Sequence, residues 1–269
     1  MKKLSSLLAM LLVLVFAFTG CGGSGSSDSK EAESTTGAVA ESGIPETLIV
    51  GTNAEFPPFE FVNDNGDYDG FDIALMQAIC DKIGCKMEVN NMEFKSLLGA
   101  LQMDSIDVIA AGMTATEERK ESVDFTESYY EAKQVIIVKK DSNVASFADL
   151  NDKKIGVQEG TTGDLYVTPE EDGALVEKAE IKRFKKGVDA VMDLKNGGVD
   201  AVVIDKNPAK EFVNGNDDLM IVEDDAAIEN YAFAVAKGNT ELAEAINNAL
   251  TELKADGTYD SLIKEYINE

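Results

Sequence analysis

A short pattern that occurs twice is the strongest constraint on the fold. Residues 101–109 (LQMDSIDVI) match residues 194–202 (LKNGGVDAV) in the order of apolar and turn positions. In each copy a helical apolar face ends, the chain turns at an aspartate, and an apolar run typical of a buried strand follows. Short apolar strands are also predicted at Leu48–Thr52 and Lys154–Val157. Alternating strands and helices form parallel sheets, so the sequence predicts two α/β lobes of similar topology; ordinary α/β patterning without a repeat is the alternative.

Amphipathic helices support this alternation. Phe71, Met76, Ile79 and Ile83 recur at helical spacing, and Gly84 is placed to end that helix. A further helix leads into each copy of the pattern. The predicted apolar faces of these two helices are Phe94, Leu97, Leu98 and Leu101 in the first, and Val188, Val191, Met192 and Leu194 in the second.

The composition excludes several classes of function. The chain has no histidine, and 50 Asp and Glu against 24 Lys and Arg give a formal net charge of −26. Without imidazole, Ser-His-Asp hydrolysis and most zinc sites are excluded. Nucleic acid is not an expected partner, because binding to a phosphate backbone depends on Lys and Arg.

The amino-terminal segment has the pattern of an export signal. Two lysines precede an apolar run from Leu7 to Phe18 that is shorter than a membrane span, so residues 1–20 are predicted to be a signal peptide. Cys21 resembles the lipid-modified cysteine of a bacterial lipobox. Phe18 stands where leucine is usual, and secretion without lipidation is the alternative.

The segment after Cys21 is predicted to be a disordered linker. Residues 21–44 consist mainly of Gly, Ser, Thr, Ala and Glu, and the folded part is expected to begin near Pro45. Such a tether would keep a folded domain beside the membrane. In an exported protein Cys80 and Cys85 could form a disulfide, and two buried free thiols are the alternative.

The chain is predicted to cross between the lobes twice. The crossings fall at residues 129–133 and 227–231, so that residues 45–128 with 232–269 form the first lobe and residues 134–226 form the second. Two crossings act as a hinge and restrict the lobes to bending about one axis. This arrangement suits a cleft that closes on a small ligand.

Polar residues stand where predicted strands end, which is where ligands bind in parallel α/β sheets. Asn53, Gly112, Gln158 and Asp205 are the residues at these ends. Asp205 follows a wholly apolar run, and its carboxylate is placed to accept an ammonium group. Capping of the following helix is the alternative role for Asp205.

Aromatic residues follow the first strand. Phe56, Phe59 and Phe61 surround two prolines that stiffen the loop. Phe56 is expected to form one wall of a ligand site and Phe94 a second wall. Packing in the core is the alternative for the phenylalanines of this loop.

The segment after the first copy of the pattern combines groups that bind a carboxylate. Free backbone N–H groups, the hydroxyl of Thr114 and the guanidinium of Arg119 would together hold an anion. The alternative for Arg119 is a surface ion pair with Glu117 or Glu121. Residues 160–163 (GTTG) would add hydroxyl and N–H donors from the other lobe.

Several segments together resemble a known family. They are FPPFE (56–60), GFDI (70–73), GMTATEER (112–119), DFT (124–126), GVQEGTTG (156–163) and DGTY (256–259). As a set they resemble the polar amino acid-binding proteins of bacterial ABC importers, family 3 of the solute-binding proteins, from about Leu48 to Ile267. The resemblance implies the type II periplasmic-binding fold: two α/β lobes, each a mixed, largely parallel sheet flanked by helices, joined by a two-strand hinge.

The resemblance also implies how a bound amino acid is held by its backbone groups. Arg119, Thr114 and Thr162 would bind the α-carboxylate. The Gly112 carbonyl and Asp205 would take the α-ammonium group.

For the side chain of the ligand, the resemblance implies a second set of residues. Phe56 and Phe94 would sandwich it, with Asn53 and Gln158 near its tip. This sequence departs from some relatives at Asn53, a place that is often Asp in glutamine and basic amino acid receptors.

A neutral amide at this place leaves the ligand open. Two nearby glutamates, Glu55 and Glu159, could restore the negative charge that a cationic ligand needs. Arginine, lysine, glutamine and other polar amino acids therefore remain alternatives.

The expected function is that of an extracytoplasmic receptor. Anchored by lipid at Cys21, it would bind a polar amino acid as a monomer and deliver it to the membrane-embedded subunits of an ABC permease. No catalytic residue, metal or cofactor is expected. The alternatives are a sensory ligand-binding module and, on the same fold, a dehydratase or lyase with Glu159 as base.

Overall fold

The computed structural model describes residues 44–267, apart from the side chains of Asp225 and Ala226. The predicted signal peptide, Cys21 and the linker up to residue 43 lie outside these residues. Within the described part, the strands of the first half are β1 Thr47–Thr52, β2 Glu55–Phe56, β3 Glu60–Val62, β4 Tyr68–Asp69, β5 Lys86–Asn91, β6 Val108–Ile109 and β7 Val123–Phe125. Those of the second half are β8 Tyr130–Lys139, β9 Lys154–Gln158, β10 Glu180–Phe184, β11 Ala201–Asp205, β12 Leu219–Tyr231 and β13 Ala234–Ala236.

Helices alternate with these strands. They are α1 Phe71–Ile83, α2 Leu97–Gln102, α3 Glu117–Ser122, α4 Thr162–Val167, α5 Gly187–Asn196, α6 Lys206–Val213, α7 Thr240–Ala255 and α8 Thr258–Leu262. Turns of 3-10 helix lie at Phe94–Ser96 and Phe147–Leu150, and a π-helical turn lies at Ile263–Ile267. None of the helices within residues 44–267 combines the length and the apolar character that crossing a membrane requires.

Ten of these strands form two mixed sheets with the same order of parallel strands, and β2, β3 and β4 form a small antiparallel sheet. The first sheet has the order β5-β1-β6-β13-β7 and the second the order β10-β9-β11-β8-β12. In the first sheet β1 lies parallel to β5 and β6, and in the second β9 lies parallel to β10 and β11. The remaining pairs in both sheets are antiparallel. We call the part of the chain built around each sheet the first and the second lobe.

The aspartates of the repeated pattern make the same contacts in both lobes. Asp107 accepts a hydrogen bond from the N–H of Ile49 at 2.7 Å and donates its own N–H to the Ile49 carbonyl at 2.8 Å. Asp200 accepts from the N–H of Lys154 at 2.8 Å and donates to the Lys154 carbonyl at 2.7 Å. Each aspartate thus fixes the start of one strand to the central strand beside it, and the repeat in the sequence is a repeat in the structure.

Helix α1 follows the predicted pattern. It buries Phe71, Met76 and Ile79, and it ends at Gly84, whose φ of 86° places it in the left-handed conformation that favours glycine. Cys80 is buried and Cys85 is partly buried, and both are free thiols. The sequence left open a disulfide or two free thiols, and the structure shows free thiols.

The predicted apolar face of α5 is wrong in part. Val191 and Leu194 are buried, but Val188 and Met192 are 37% and 55% exposed. The buried stripe runs instead through Gly187, Ala190, Val191 and Leu194, at the i, i+3, i+4 and i+7 spacing of a helix. Small residues hold this stripe because the helix packs closely on the sheet: a Cβ at Gly187 would lie 2.5 Å from Ile204.

Aromatic side chains pack together where the two lobes join. The ring centroids of Tyr129 and Phe233 are 4.3 Å apart in a stacked pair, and Phe59 meets Tyr130 and Tyr231 edge-on at 5.1 and 5.2 Å. At this place β8 and β12 pair in antiparallel register from Tyr130 opposite Tyr231 to Lys133 opposite Ile228. The predicted crossing segments, 129–133 and 227–231, lie along this pair of strands.

Candidate functional site

A cavity lies between the strand ends of the two lobes. About 300 Å³ between its walls is free of protein atoms, a volume that includes open solvent at its mouth. Every residue that the sequence predicted for ligand binding lines it: Asn53, Phe56, Phe94, Gly112, Thr114, Arg119, Gln158, Thr162 and Asp205. Glu60, Ala111 and Thr161 also line it. That these side chains hold a ligand remains a prediction.

The ends of the strands position the polar side chains, with one exception. Asn53 comes directly after β1, and Gln158 and Asp205 are the last residues of β9 and β11. Gly112 is the exception, because β6 already ends at Ile109.

The expectation of free backbone donors is wrong at Gly112. Its N–H donates to the buried carboxylate of Asp72 at 2.8 Å. Its φ of 52° and the rings of Phe56 and Tyr231, each 3.2 Å from where a Cβ would lie, reserve the place for glycine. Burial raises the pKa of Asp72 to about 7, although the hydrogen bonds from Gly112 and Tyr129 oppose that rise.

Arg119 is buried and connects the two lobes. Its guanidinium donates to the Thr114 carbonyl at 2.9 Å and to the Gly160 carbonyl of the second lobe at 3.0 Å. It also lies over the Phe94 ring, 5.5 Å from the ring centroid. The alternative of a surface ion pair with Glu117 is wrong, since Glu117 pairs with Lys120.

A guanidinium has five N–H donors, and these two carbonyls occupy two of them. Burial lowers the pKa of Arg119, and nearby carboxylates, Glu229 first among them, oppose that change. An arginine keeps its charge in proteins under either influence. Arg119 therefore offers further donors, in a planar fork, to an anion in the cavity.

The phenylalanines of the first loop have different environments. Phe56 lines the cavity and stacks at 6.1 Å on Phe59, which belongs to the core and is 1% exposed. Phe61 is partly buried on β3. Phe94 lines the cavity beneath Arg119. Of the loop phenylalanines, Phe56 is the one that reaches the site.

Asp205 is a buried carboxylate that faces the cavity rather than a helix cap. It precedes α6, but its side chain makes no capping hydrogen bond. One of its oxygens accepts from the hydroxyl of Tyr231. Burial raises the pKa of Asp205 to about 7, and the negative charge of Glu229 adds to the rise.

Glu60 lines the cavity and was not predicted from the sequence. It is fully buried, and neither of its carboxylate oxygens has a hydrogen-bond partner among residues 44–267. Burial raises its pKa well above the usual range, and the charges of Asp72 and Asp205 raise it further. The ionised form of a buried carboxyl group without a partner is costly, so the group holds its proton more strongly, and a cation in the cavity would stabilise the ionised form. The sequence gives no signal for its burial, because alternation along a strand predicts that Glu60 points away from the face of Phe59 and Phe61.

Glu229 is the second buried carboxylate that the sequence did not predict. It lies on β12 and is 2% exposed. One oxygen accepts hydrogen bonds from the hydroxyls of Thr114 at 2.8 Å and Thr162 at 2.9 Å, and from the Gln134 amide at 3.4 Å. The protein thus contains its own partner for the two threonines predicted to bind a ligand. No group of three or more Cys, Asp or Glu within residues 44–267 is arranged to hold a metal ion.

Ion pairs connect the lobes at the edge of the cavity. Glu55 pairs with Lys186, and Glu159 pairs with Lys95 at 2.8 Å, in each case across the two lobes. These glutamates could have supplied negative charge to a ligand, but the structure engages them with lysines. The buried carboxyl groups that face the cavity are instead those of Glu60 and Asp205.

Comparisons with known proteins give the family. The family model of the bacterial extracellular solute-binding proteins, family 3, matches residues 48–269. The arginine-binding extracellular protein ArtP of Bacillus subtilis (strain 168) is 35% identical over 232 residues, which cover 84% of this chain and 88% of that protein. A solved structure of an ancestral arginine-binding protein bound to arginine has a TM-score of 0.77 and 45% identity, and the match covers 82% of this chain and 98% of that chain. A structure of an ancestral arginine-binding protein bound to glutamine has the same TM-score of 0.77 and 45% identity, with 84% and 100% covered.

Two α/β lobes with a polar cavity between their strand ends define a solute-binding protein of the type II periplasmic-binding fold, and this confirms the predicted fold class. The chain belongs to family 3 of the bacterial extracellular solute-binding proteins. It is therefore a binding protein of the extracytoplasmic space and not an enzyme, as the sequence predicted.

Proposed function

We propose that the protein binds a cationic L-amino acid, L-arginine above others, in the cavity between the lobes. The observation that carries this proposal is Glu60, a fully buried carboxylate that lines the cavity with no hydrogen-bond partner among the described residues. Arginine has two cationic groups and one carboxylate. The cavity lining offers two carboxylates, Glu60 and Asp205, and one guanidinium, Arg119.

Two charged side chains of the cavity, Arg119 and Asp205, each have a partner among the backbone groups of the ligand. Arg119 holds the α-carboxylate through the donors that Thr114 and Gly160 leave unused. Asp205 takes the α-ammonium group, together with the Gly112 carbonyl, and so satisfies a carboxylate at a strand end.

The ligand's side chain is assigned to the remaining part of the cavity. It lies between Phe56 and Phe94, and its guanidinium reaches Glu60. Gln158 supports this placement, because its buried Oε1 has no partner within residues 44–267 and can accept an N–H. Asn53 is engaged by Gln158 and closes this end of the cavity.

Two of the similar proteins support a cationic ligand. ArtP and the first ancestral structure are named for arginine, while the second ancestral structure holds glutamine. A neutral polar amino acid is the rival ligand. Glu60 argues against a neutral ligand, since an amide provides no counter-charge for the ionised form of this buried carboxyl group.

Closure of the cleft is the mechanism of capture. Residues 45–128 with 232–269 move as one lobe and residues 134–226 as the other, about a hinge at 129–133 and 227–231. The hydrogen bonds from Arg119 to Gly160 and from Gln158 to Asn53 join the lobes and exist only when they approach. A ligand that contacts both lobes shifts the population toward closure.

The cellular role follows from the leader and the family. Residues 1–20 direct export, Cys21 carries the lipid that anchors the protein to the outer face of the cell membrane, and residues 21–44 form the tether. The closed monomer delivers its amino acid to the transmembrane subunits of an ABC permease.

The ligand is tested by a thermal-shift screen of the twenty amino acids. The protein should begin near Glu41 and be unfolded and refolded beforehand to remove co-purified ligand. A ligand that binds only the native state raises its melting temperature. The largest rise is expected with arginine and the next with lysine. A rise with glutamine alone would replace the cationic ligand by a neutral one, and no rise with any amino acid would overturn the proposal.

A further inference from the structure

Glu229 fixes the direction of two hydrogen bonds at the cavity. Thr114 comes from the first lobe and Thr162 from the second, and both hydroxyls lie within 2.9 Å of the same carboxylate oxygen of Glu229. A carboxylate oxygen accepts hydrogen bonds and donates none. Both threonines therefore donate to Glu229.

Each donation uses the single proton that a hydroxyl has. Thr114 is left with two lone pairs. Thr162 also accepts from the Gln134 amide at 3.3 Å and is left with one. Both residues line the cavity, so the groups that they present to a ligand are acceptors.

Bonds to a charged group are about twice as strong as bonds between neutral groups. The three donors that converge on Glu229 come from both lobes and from β8, and all of these side chains are buried. A ligand carboxylate would have to compete with the Glu229 carboxylate for the hydrogen bonds that the hydroxyls of Thr114 and Thr162 donate. A ligand N–H would meet lone pairs that are ready to accept it.

We propose that Glu229 is a positioning residue that sets the hydrogen-bond polarity of the cavity. Through Glu229, Thr114 and Thr162 accept N–H groups of the ligand instead of donating to its carboxylate, and Arg119 alone remains as the side-chain donor for that carboxylate. This inference rests on the proposed function and reverses the role that the family resemblance implies for the two threonines. Glu229 thereby favours ligands rich in N–H donors.

The test compares arginine with argininamide, in which a carboxamide with two N–H groups replaces the carboxylate. Their dissociation constants are measured by calorimetry with the wild-type protein and with Glu229→Gln. A glutamine can donate its amide N–H to the threonines, which frees their protons to turn toward the ligand. The ratio of the argininamide constant to the arginine constant is expected to rise about tenfold in Glu229→Gln, as for one hydrogen bond to a charged group.

Loss of a negative charge would by itself also favour the ligand carboxylate, so the experiment needs a second background. Thr162→Val removes one of the two hydroxyls and leaves the charge in place. The effect of Glu229→Gln on the ratio should fall several-fold in the Thr162→Val background if hydroxyl direction is the cause. If Glu229→Gln changes the ratio of dissociation constants equally in both backgrounds, the loss of charge is the cause and the inference is overturned.

Glu223→Gln is the matched control, because Glu223 lies on the same strand but pairs at the surface with Lys206. It should leave the ratio unchanged. If Glu229→Gln does not fold, Thr162→Val alone decides: it should weaken argininamide more than arginine, and the reverse order would overturn the inference.

The two proposals can fail separately. If the wild-type protein binds arginine and the ratio is the same in Glu229→Gln, only the inference about Glu229 fails. If the wild-type protein binds neither compound, the proposed function fails and the inference fails with it.

Discussion

The side chains of Gln158 and Asn53 are joined by a hydrogen bond in which the Gln158 amide donates to the Asn53 oxygen at 2.8 Å. Gln158 is the last residue of β9 and Asn53 directly follows β1, and these two strands occupy the same place, second in order, in their sheets. Asn53 in turn donates to the Met92 carbonyl at 2.8 Å, which fixes its orientation. The ends of two equivalent strands, one from each lobe, thus meet in the lining of the cavity.

Asn53→Ala is expected to weaken arginine binding by about tenfold. The substitution leaves the buried Gln158 amide without this acceptor and the Met92 carbonyl without this donor, at a cost of about 1–2 kcal/mol in the closed state. Calorimetry at neutral pH measures the change. An unchanged dissociation constant would show that the amide pair does not contribute to closure.

Arg119→Ala is expected to weaken arginine binding at least about thirtyfold, or about 2 kcal/mol, because a carboxylate in the cavity loses its charged partner. Arg183→Ala is the matched control: Arg183 pairs with Asp164 in the second lobe and does not line the cavity. It should leave the affinity unchanged. Equal affinities of wild type and Arg119→Ala would refute the assignment of Arg119.

The affinity for a cationic amino acid is expected to fall below pH 7. The pKa of Asp205 is raised to about 7 in the ligand-free protein by burial and then by Glu229, so the group is protonated below that pH. An ammonium group requires the ionised form, and binding therefore releases a proton, with an affinity that falls up to about tenfold per unit of pH below 7. Above pH 7 this contribution levels off.

Calorimetry from pH 5 to 8 in two buffers of different ionisation enthalpy measures that proton. Asp205→Asn should bind more weakly and should lose the part of the pH dependence that comes from Asp205, while Glu60, whose pKa is also raised, keeps its own contribution. A dissociation constant that stays constant between pH 5 and 8 in the wild-type protein would contradict the role of Asp205.

The paired aspartates of the repeat are expected to stabilise both lobes. Asp107→Ala removes a carboxylate from the Ile49 N–H and should lower the free energy of unfolding by about 1–3 kcal/mol. Asp200→Ala removes the equivalent bond to Lys154, but Asp200 is exposed and its loss should cost less. Urea unfolding of the two variants checks the order, and a larger loss for Asp200→Ala would contradict it.

The sequence predicted the fold and much of the cavity because local patterns carry both. The repeat around Asp107 and Asp200 predicted the two lobes, and segments such as GMTATEER predicted Thr114 and Arg119. Strand ends placed Gln158 and Asp205 together, since the parallel strands β9 and β11 end at one edge of their sheet, and Asn53 follows the equivalent strand β1 of the other sheet.

What the sequence did not predict depends on contacts between distant segments. Glu229 stands in an acidic stretch that is typical of a solvated surface, and its burial follows from the pairing of β12 with β8 and from the two threonines that reach it. The N–H of Gly112 is used by Asp72, a residue 40 positions away in the chain. Met192 is exposed because the small residues of α5 take the place against the sheet.

Calorimetry on refolded protein that compares L-arginine with L-citrulline tests directly whether the ligand is cationic. Citrulline has nearly the same shape but no charge on its side chain, so it leaves Glu60 without a cation. Arginine is predicted to bind at least about a hundredfold more tightly than citrulline, since each buried charged hydrogen bond contributes about 1.5–3 kcal/mol, and Glu60→Gln should narrow the difference. Citrulline or glutamine that binds as tightly as arginine would contradict the cationic ligand.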